Sequence, residues 1–587
     1  SILVVCINIL MGFFMKLYAR HRKKALALIS IVFVVLFTLI IKLMQVMIFQ
    51  SEYYFTKAQA LHERERNIKA SRGNILDTNG VVLAANKTVC TISVIHSQIK
   101  DKESVVNMLV NELGLDRQEV LKKVEKITSI ERIASNVEKE VGDKIREYNL
   151  DGVKVDEDYK RYYPFSSLAS KVLGFTGSDN QGIVGLEAKY DAYLAGTSGQ
   201  ILTLTDAWGV EIDGAEENRK EPVAGNDLYI SIDYNIQKYA TQLAERTKEE
   251  KQAKSVSIIV MNPQNGEIMA MVNAPEYDLN NPYELNFERS EEQLSTPKMD
   301  LLNNMWRNFC INDTYEPGSI FKMVTATAVL ETKQATLSDM FTCSGYAVVG
   351  DRRIRCHKIA GHGTQTFTQT VMNSCNPAFI EWGRRVGVDN FYLYMSKLGL
   401  LEKTGIDIAG EASTIIHKKE NVGEVELATM SFGQSFQITP MQMLRAACAI
   451  VNGGKLITPH FAVKTTDSSG NVVQEFAYNT QENAIEKETS DTMRDILRQV
   501  VEEGGGKKAY IEGFSIGGKT ATSQKLPRGS GKYIASFIGF APVSNPKVIA
   551  MCIIDEPQGV YYGGTIAAPV IKELYENILP YLEISVD

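Results

Sequence analysis

Ser319 and Lys322 stand three residues apart in "YEPGSIFKMVTA" (315–326), where Pro317 and Gly318 break the chain and an apolar run at helical spacing follows. That spacing puts both side chains on one helical face, about one turn apart. A lysine kept neutral by desolvation or by nearby cations can take a proton from such a serine and make it a nucleophile. The pair is common in itself: "SQIK" from Ser97, "STPK" from Ser295 and "SNPK" from Ser544 repeat the spacing. A nucleophilic serine therefore requires hydroxyl, amide and cationic partners further along the same domain. "NSCNPAF" offers Ser374, Cys375 and Asn376, with Pro377 placed to open a following helix, and "IGGKTATS" offers Lys519, Thr520 and Thr522 in a strand-like run. Only Ser319, Ser374 and Lys519 together fit a helix start, a loop before a helix and a strand; "SDN" at Ser178 comes too early and "SGN" at Ser469 lies in a polar turn.

A second cluster lies between the first two motifs. "DRRIRCHKIAGHGTQTF" packs Cys356, His357 and His362 into seven residues of a chain that has seven histidines in all. Cys375, the middle residue of the second motif, could approach them in space. Cys with His suits tetrahedral Zn²⁺, and Asp351 would complete a set of Asp351, Cys356, His357 and Cys375. The alternatives are a Cys356–Cys375 disulfide, as an oxidising compartment permits, or free thiols beside a loop histidine.

The elements that must position these groups can be read in outline. The chain of 587 residues is too long for one ordinary domain. From about residue 226 the pattern is α+β: "SVSIIVMNPQNGEIMAMV" reads as strand–turn–strand, helices such as "FKMVTATAVLET" and "DTMRDILRQVVEE" follow, and the strands "YIASFIGFAP" and "VIAMCIID" precede a last helix near "APVIKELYENIL". Strands at both ends with helices between predict an antiparallel sheet flanked by helices. Before the polar, Pro- and Gly-containing stretch 218–227, Asp77–Gly80 reads as a turn between strands, 102–150 as helical, and "LAGTSGQILTLTDAWGVEI" as strand-like, a mixed α/β region expected to be elongated.

The N-terminus sets the compartment. "ALALISIVFVVLFTLII" (25–41) is uncharged, "LMQVMIF" extends it past Lys42, and Lys16, Arg20, Arg22, Lys23 and Lys24 precede it. This predicts one membrane-spanning helix over 25–48 with residues 1–24 cytoplasmic and the rest outside. No small-residue cleavage site follows the apolar run, so the anchor is expected to be retained. Met15 opens "MKLYARHRKK" like a natural start, and residues 1–14 are expected to be foreign to the mature protein. A net charge of −7 without a basic stripe excludes nucleic acid as the expected partner. The eight cysteines are scattered and do not read as a disulfide framework.

The ordered set Ser-x-x-Lys, Ser-x-Asn and Lys-Thr-x resembles that of the penicillin-interacting enzymes, and nearly all of the chain after Met15 resembles the class B penicillin-binding proteins of the cell-division and sporulation types. "RGNILDTNGVVLA", "RYYPFSSLASKVLGFTG" and "GIVGLEAKYDAYLAGTSG" resemble the pedestal motifs of that family; "MNPQNGEIMAMVNAPEYD", "YEPGSIFK", "SFGQSFQITPMQ" and "SFIGFAP" resemble its transpeptidase segments. The resemblance implies a pedestal (dimerisation-type) domain over 49–225 and a transpeptidase domain over 226–587. It also implies acyl transfer without a cofactor: Ser319 attacks the D-Ala–D-Ala bond of a peptidoglycan stem peptide, Lys322 acts as base, Ser374 relays a proton and Asn376 positions Lys322. Lys519 keeps the cluster cationic, Thr520 and Thr522 hold the terminal carboxylate, and the N–H groups of Ser319 and Thr522 form the oxyanion hole. Implied partners are peptidoglycan stem peptides, β-lactams, a membrane-embedded lipid-II polymerase and other division or sporulation proteins. The chain departs from the family at Ala521, where glycine is usual, which implies an altered preference among β-lactams. A serine β-lactamase or β-lactam sensor would use the same serine, but the long pedestal argues against both; a structural scaffold would tolerate loss of Ser319.

Overall fold

The structure, a computed structural model, describes residues 2–53, 63–128, 130–204 and 218–585. Helix α1 (Ile2–Met44) runs on into a single π turn, Gln45–Phe49, and residues 2–14 enter it without a break. Its segment Leu26–Phe49 has 24 residues, a mean hydropathy of 2.9 and no buried surface. At 1.5 Å per residue this spans about 36 Å, enough to cross a bilayer core of about 30 Å.

The chain divides into two compact units, the first of which includes the helix. The first comprises residues 1–68, 90–157 and 198–221. Two helices, Lys102–Leu113 and Arg117–Val124, begin at Asp101 and Asp116, whose carboxylates accept from the first free N–H groups, and the former ends on Gly114 in the left-handed region. Val105, Val106, Leu109, Val120 and Val124 close over Cys90, Ile92 and Val94. The helical reading of 102–150 fails over Glu131–Glu138, a strand in which Ile133 is the buried residue. There the short "ERIASNVE" run lacks the i, i+3, i+4 apolar spacing of its neighbours. Of the strand-like stretch 194–212, the strand Gly199–Leu204 is present, paired antiparallel with Glu63–Ile68; residues 205–212 of that expectation lie outside the described ones.

The second unit comprises residues 69–89, 158–197 and 222–587. The turn at Asp77–Gly80 is present, with the Asp77 carboxylate accepting from the N–H groups of Asn79 and Val81. Residues 69–89 and 158–197, expected with the pedestal, share one body with the catalytic segments. A buried ion cluster holds them: Glu187 accepts from Arg72 and from Arg161, both at 2.6 Å, and Arg72 also reaches Asp191.

The sheet that organises this unit is flanked by α2 (Tyr234–Glu250) and built first from β1 (Ser255–Met261) and β2 (Ile268–Ala274). The helical part follows with α3 (Lys322–Glu331), α4 (Phe367–Met372), α5 (Asn376–Lys397), α6 (Pro440–Val451) and α7 (Lys487–Glu502). The chain then returns to the sheet as β3 (Gly517–Gln524), β4 (Tyr533–Ala541) and β5 (Val548–Asp555) and ends with α8 (Ala568–Tyr581). The order is β2-β1-β5-β4-β3, every pair antiparallel, as the pattern predicts. β1 and β5 are nearly all apolar because both faces are covered. α2 and α8 close one face around Val260, Phe537 and Leu574, and the helical lobe closes the other around Ile259, Met551 and Phe321. β3 lies at the edge of the sheet, which leaves one side of its backbone unpaired within the sheet.

Candidate active site

Ser319 sits in a 3-10 turn, Gly318–Phe321, that leads directly into α3. Two glycines make that turn possible. Gly318 has φ +57°, and a Cβ there would stand 2.2 Å from Ser523 Oγ, so the turn is pressed onto β3. Gly433 has φ +88°, and its Cβ would stand 2.0 Å from Gly318 O; Gly318 N–H donates to Gly433 O at 2.9 Å. The segment "SFGQS" is thereby the buttress of the nucleophile turn. Glu316 ties the same turn to two further elements, accepting from Ser435 N–H at 2.9 Å and from Arg528 at 2.5 Å.

Lys322, one turn on, is fully buried. Its ammonium donates to Ser374 O at 2.7 Å, to Ser374 Oγ at 3.1 Å and to Asn376 Oδ1 at 2.7 Å. Lys519, also buried, donates to Ser374 Oγ at 3.1 Å from the opposite side. Ser374 has φ +49°, a left-handed conformation uncommon outside glycine and asparagine. It is held in the short link between α4 and α5, and this backbone strain presents its Oγ to both lysines. The structure thus brings together Ser319, Lys322, Ser374, Asn376 and Lys519. Among the described residues Ser319 Oγ makes no hydrogen bond, as is common before substrate closes a site.

Burial depresses both lysines. Lys322 is brought down to about 7 by loss of water, against the opposing pull of Cys375 and Cys356. Lys519 is pushed down by its own burial and then by the charge of Lys322. Two ammonium groups sharing one hydroxyl cannot both stay protonated at neutral pH, so a free amine is available to accept the proton of Ser319. The base must be neutral to act, so the activity is lost as pH falls through its pKa. Acylation of Ser319 is expected to rise about tenfold per pH unit below 7 and to level above it. Stopped-flow acylation across pH 5–9 checks this; a flat profile contradicts it.

β3 completes the site. Lys525 N–H donates to Lys532 O, continuing the β3–β4 register, and alternate residues of an antiparallel pair bond the same way. Thr520 and Thr522 therefore turn their N–H and C=O groups to the open edge. Thr522 Oγ1 accepts from Gly563 N–H at 3.0 Å, which fixes its rotamer. Lys519, Ala521 and Ser523 share the opposite phase of the strand. Lys519 meets Ser374 and Ser523 meets Gly318, so the methyl of Ala521, 3% exposed, lies between them against the nucleophile turn. A methyl-sized change in a pocket shifts recognition by about 1–3 kcal/mol. Ala521→Gly is accordingly expected to change acylation by bulky β-lactams tenfold or more relative to small ones; equal rate changes across drugs contradict it.

The cavity over these groups has a volume of about 610 Å³. Ser319, Ser374, Asn376, Thr520, Ala521 and Thr522 line it, as do Tyr533, Tyr561, Tyr562, Lys507 and Lys508, which sequence reasoning missed. Tyr533 and Tyr561 stack at 3.9 Å between ring centres. The signal in "VYYGGTIAAP" was two adjacent tyrosines before two glycines, which carries no chemistry by itself; strand pairing was needed to bring them to β3.

The cysteine–histidine cluster exists with a different membership. Ligand atoms of Cys343, Cys356, His362 and Cys375 all lie within 4.8 Å of one another. Strand Met340–Cys343 pairs with Gly363–Thr366, with Cys343 opposite Gly363, so His362 arrives beside Cys343. Cys356 follows the hairpin Tyr346–Val349/Arg352–Arg355, and Cys375 is the residue before α5. Asp351 is at the tip of that hairpin, 87% exposed and beside Arg352, so it is excluded from the set. His357 Nδ1 stands 3.9 Å from Cys356 Sγ but outside the group of four, and His362 Nδ1, at 3.5 Å, takes its place. The seven described cysteines from Cys90 onward are free, so no Cys356–Cys375 disulfide is present. The Cys375 thiol donates toward Cys356 and holds it well below the ordinary thiol range; that thiolate in turn pushes Cys375 up.

Comparison with known proteins agrees with the fold and the ordered motifs. Residues 256–576 match the penicillin-binding protein transpeptidase domain, and residues 67–230 match the penicillin-binding protein dimerisation domain. The chain belongs to the penicillin-binding protein transpeptidases. It is 37% identical to stage V sporulation protein D of Bacillus subtilis over 528 residues, covering 88% of this chain and 79% of that protein. It is 28% identical to the probable peptidoglycan D,D-transpeptidase PenA of Neisseria meningitidis, covering 91% and 88%. Its fold matches the crystal structure of penicillin-binding protein 2X from Streptococcus thermophilus with a TM-score of 0.72 at 22% identity, over 89% of this chain and 81% of that one.

Proposed function

We propose that this chain is a membrane-anchored serine D,D-transpeptidase that cross-links peptidoglycan stem peptides in septal or spore cell-wall synthesis and is acylated by β-lactams. One observation carries the reading: a fully buried lysine, brought to a pKa of about 7, is held on Ser374 and Asn376 one turn below Ser319. Ser319 Oγ attacks the carbonyl of the penultimate D-Ala, its proton passing to Lys322. The tetrahedral oxyanion lies between the N–H groups of Ser319 and Thr522, which contribute roughly 3–4 kcal/mol per donor. Collapse releases D-Ala, whose nitrogen receives a proton through Ser374, and an amine of a second stem resolves the ester. Thr520 and Thr522 bind the terminal carboxylate, and the donor peptide adds as a strand to the open edge of β3. Incubation with a D-Ala–D-Ala-terminated stem peptide is expected to release one D-Ala per cross-link or hydrolysis event. No release by the full chain in detergent, with Ser319 intact, contradicts the assignment.

The positive-inside pattern around α1 supports a single pass with residues 1–24 cytoplasmic and the catalytic unit outside. Relatives named for sporulation and for peptidoglycan transpeptidation support a place in the cell-wall machinery, and the partner proposed first there is a membrane-embedded lipid-II polymerase. A pedestal region followed by a transpeptidase domain is supported by the two family matches, over residues 67–230 and 256–576.

Cys343, Cys356, His362 and Cys375 fit a tetrahedral Zn²⁺ in donor chemistry: three thiols and one imidazole. Zn–S and Zn–N bonds of about 2.3 and 2.0 Å place ligand atoms roughly 3.5–3.8 Å apart, and the 3.5 Å from Cys356 to His362 matches. The metal would fix the loop before α5 and with it Ser374 and Asn376; acyl transfer itself needs no cofactor. About one zinc per chain is expected by elemental analysis under reducing conditions, falling in Cys343→Ser. Absence of stoichiometric zinc ends the metal reading and leaves the serine chemistry untouched.

A further inference from the structure

The two N–H groups assigned to the oxyanion hole come from different elements, Ser319 from the 3-10 turn and Thr522 from β3. Their spacing therefore depends on how the turn is held against the strand. Gly318 presses on Ser523. Beside that contact lies a second cavity, of about 650 Å³, whose wall includes Tyr315, Glu316, Ser523, Gln524 and Lys525. The Tyr315 hydroxyl is buried there without a hydrogen-bond partner among the described residues. The residues leading into the turn and the end of β3 thus face a hollow rather than each other. Arg528, in the link between β3 and β4, is bonded to both sides of it. Its Nη2 donates at 2.5 Å to Glu316, three residues before Ser319, and its Nη1 donates to Gln524 O, two residues after Thr522. Gln524 shares the phase of Thr520 and Thr522, so that carbonyl lies on the open edge of β3. The link itself stands clear of the body at its glycines: Gly529 and Gly531 have φ +86° and +73°, and a Cβ at either would meet nothing within 4 Å. Its base is closed separately, by Lys525 on Asp555 at 2.8 Å and on Glu556 at 2.7 Å.

We propose that Arg528 is a positioning residue for acyl transfer: its guanidinium clamps the nucleophile turn to the end of β3 and so sets the spacing of the Ser319 and Thr522 N–H groups. The inference rests on the transpeptidase reading and adds how its oxyanion hole is assembled. The hole meets charge that develops only as the serine attacks, so a displaced donor lowers the rate of acylation and leaves ground-state affinity nearly untouched. Arginine suits the position because its planar fork holds two acceptors in fixed directions, whereas an ammonium is a point charge on a flexible stem.

The test resolves acylation by benzylpenicillin into ground-state affinity and a first-order acylation constant, across pH 5–9, for the wild-type full chain, R528A and R528K. R528A is expected to lower the plateau acylation constant about tenfold or more, approaching the roughly 10²–10³ that outright loss of an oxyanion donor costs. Its affinity for the drug is expected to change less than about twofold. The midpoint of its pH profile is expected to match the wild type, because Arg528 is bonded to neither Lys322 nor Ser374. R528K keeps a counter-charge for the buried Glu316, so it is expected to melt close to the wild type yet remain at least about fivefold slow. An unchanged acylation constant in R528A, a loss carried by affinity, or a shifted pH midpoint overturns the positioning role. Full recovery in R528K overturns it too, because Arg528 would then be only a counter-charge to Glu316. A folded wild type that benzylpenicillin does not acylate instead overturns the transpeptidase reading beneath it.

Discussion

Lys322→Ala is expected to lower acylation of Ser319 by roughly 10²–10⁴-fold, the range a positioned general base supplies. Its Nζ is the one amine that is both a turn from Ser319 and bonded to Ser374 and Asn376. Lys322→Arg is expected to fail as badly, although it keeps the charge, because a guanidinium does not deprotonate in proteins. That pair separates a base from a structural cation: recovery of more than a tenth of the rate by arginine contradicts the assignment. Thermal melts of both variants keep the comparison honest, since Lys322 is fully buried and its loss also removes three hydrogen bonds.

Glu187→Ala is the substitution expected to cost the second unit most. Glu187 is buried and takes Arg72 Nε on one oxygen and Arg161 Nε on the other, each at 2.6 Å, with Tyr163 OH at 3.2 Å. Arg72 and Arg161 are 1% and 5% exposed, and Arg161 Nη2 has no hydrogen-bond partner among the described residues. Removing the carboxylate leaves the Arg161 guanidinium out of water without a counter-charge and Arg72 with Asp191 alone, a loss of about 3–5 kcal/mol. Burial and then the Glu187 charge hold the Tyr163 hydroxyl well above its ordinary range. Urea unfolding of the full chain in detergent is expected to show the drop at nearly unchanged slope. A change below about 1 kcal/mol would mean that the cluster is dispensable.

These two residues mark how far the sequence could be read. The serine and both lysines could be singled out because their motifs stand in the order that the penicillin-interacting enzymes show, and a resemblance of ordered motifs survives in one dimension. The antiparallel sheet was legible because β1, β2, β4 and β5 are apolar runs in hairpin order. Glu187 was not singled out: its partners are 26 and 115 residues away, and only the folded second unit joins them. The metal cluster failed in an instructive way. Asp351 and His357 are near Cys356 in sequence, but a hairpin carries Asp351 to its exposed tip, and the pairing of Cys343 with Gly363 delivers Cys343 and His362 instead. Register decides such sets, and register is a property of pairing rather than of spacing. Lys507, Lys508 and the tyrosines at 561–562 were silent for the same reason: only the fold brings them to the wall of the cavity.

The most direct measurement is the intact mass of the full chain after incubation with a penicillin, run beside Ser319→Ala. One drug mass added to the wild type and none to the variant is the expected result, and it would place the acyl group on Ser319. An adduct that persists in Ser319→Ala, drug consumed without any adduct, or drug left unchanged by a folded wild type would contradict the serine acyl-enzyme.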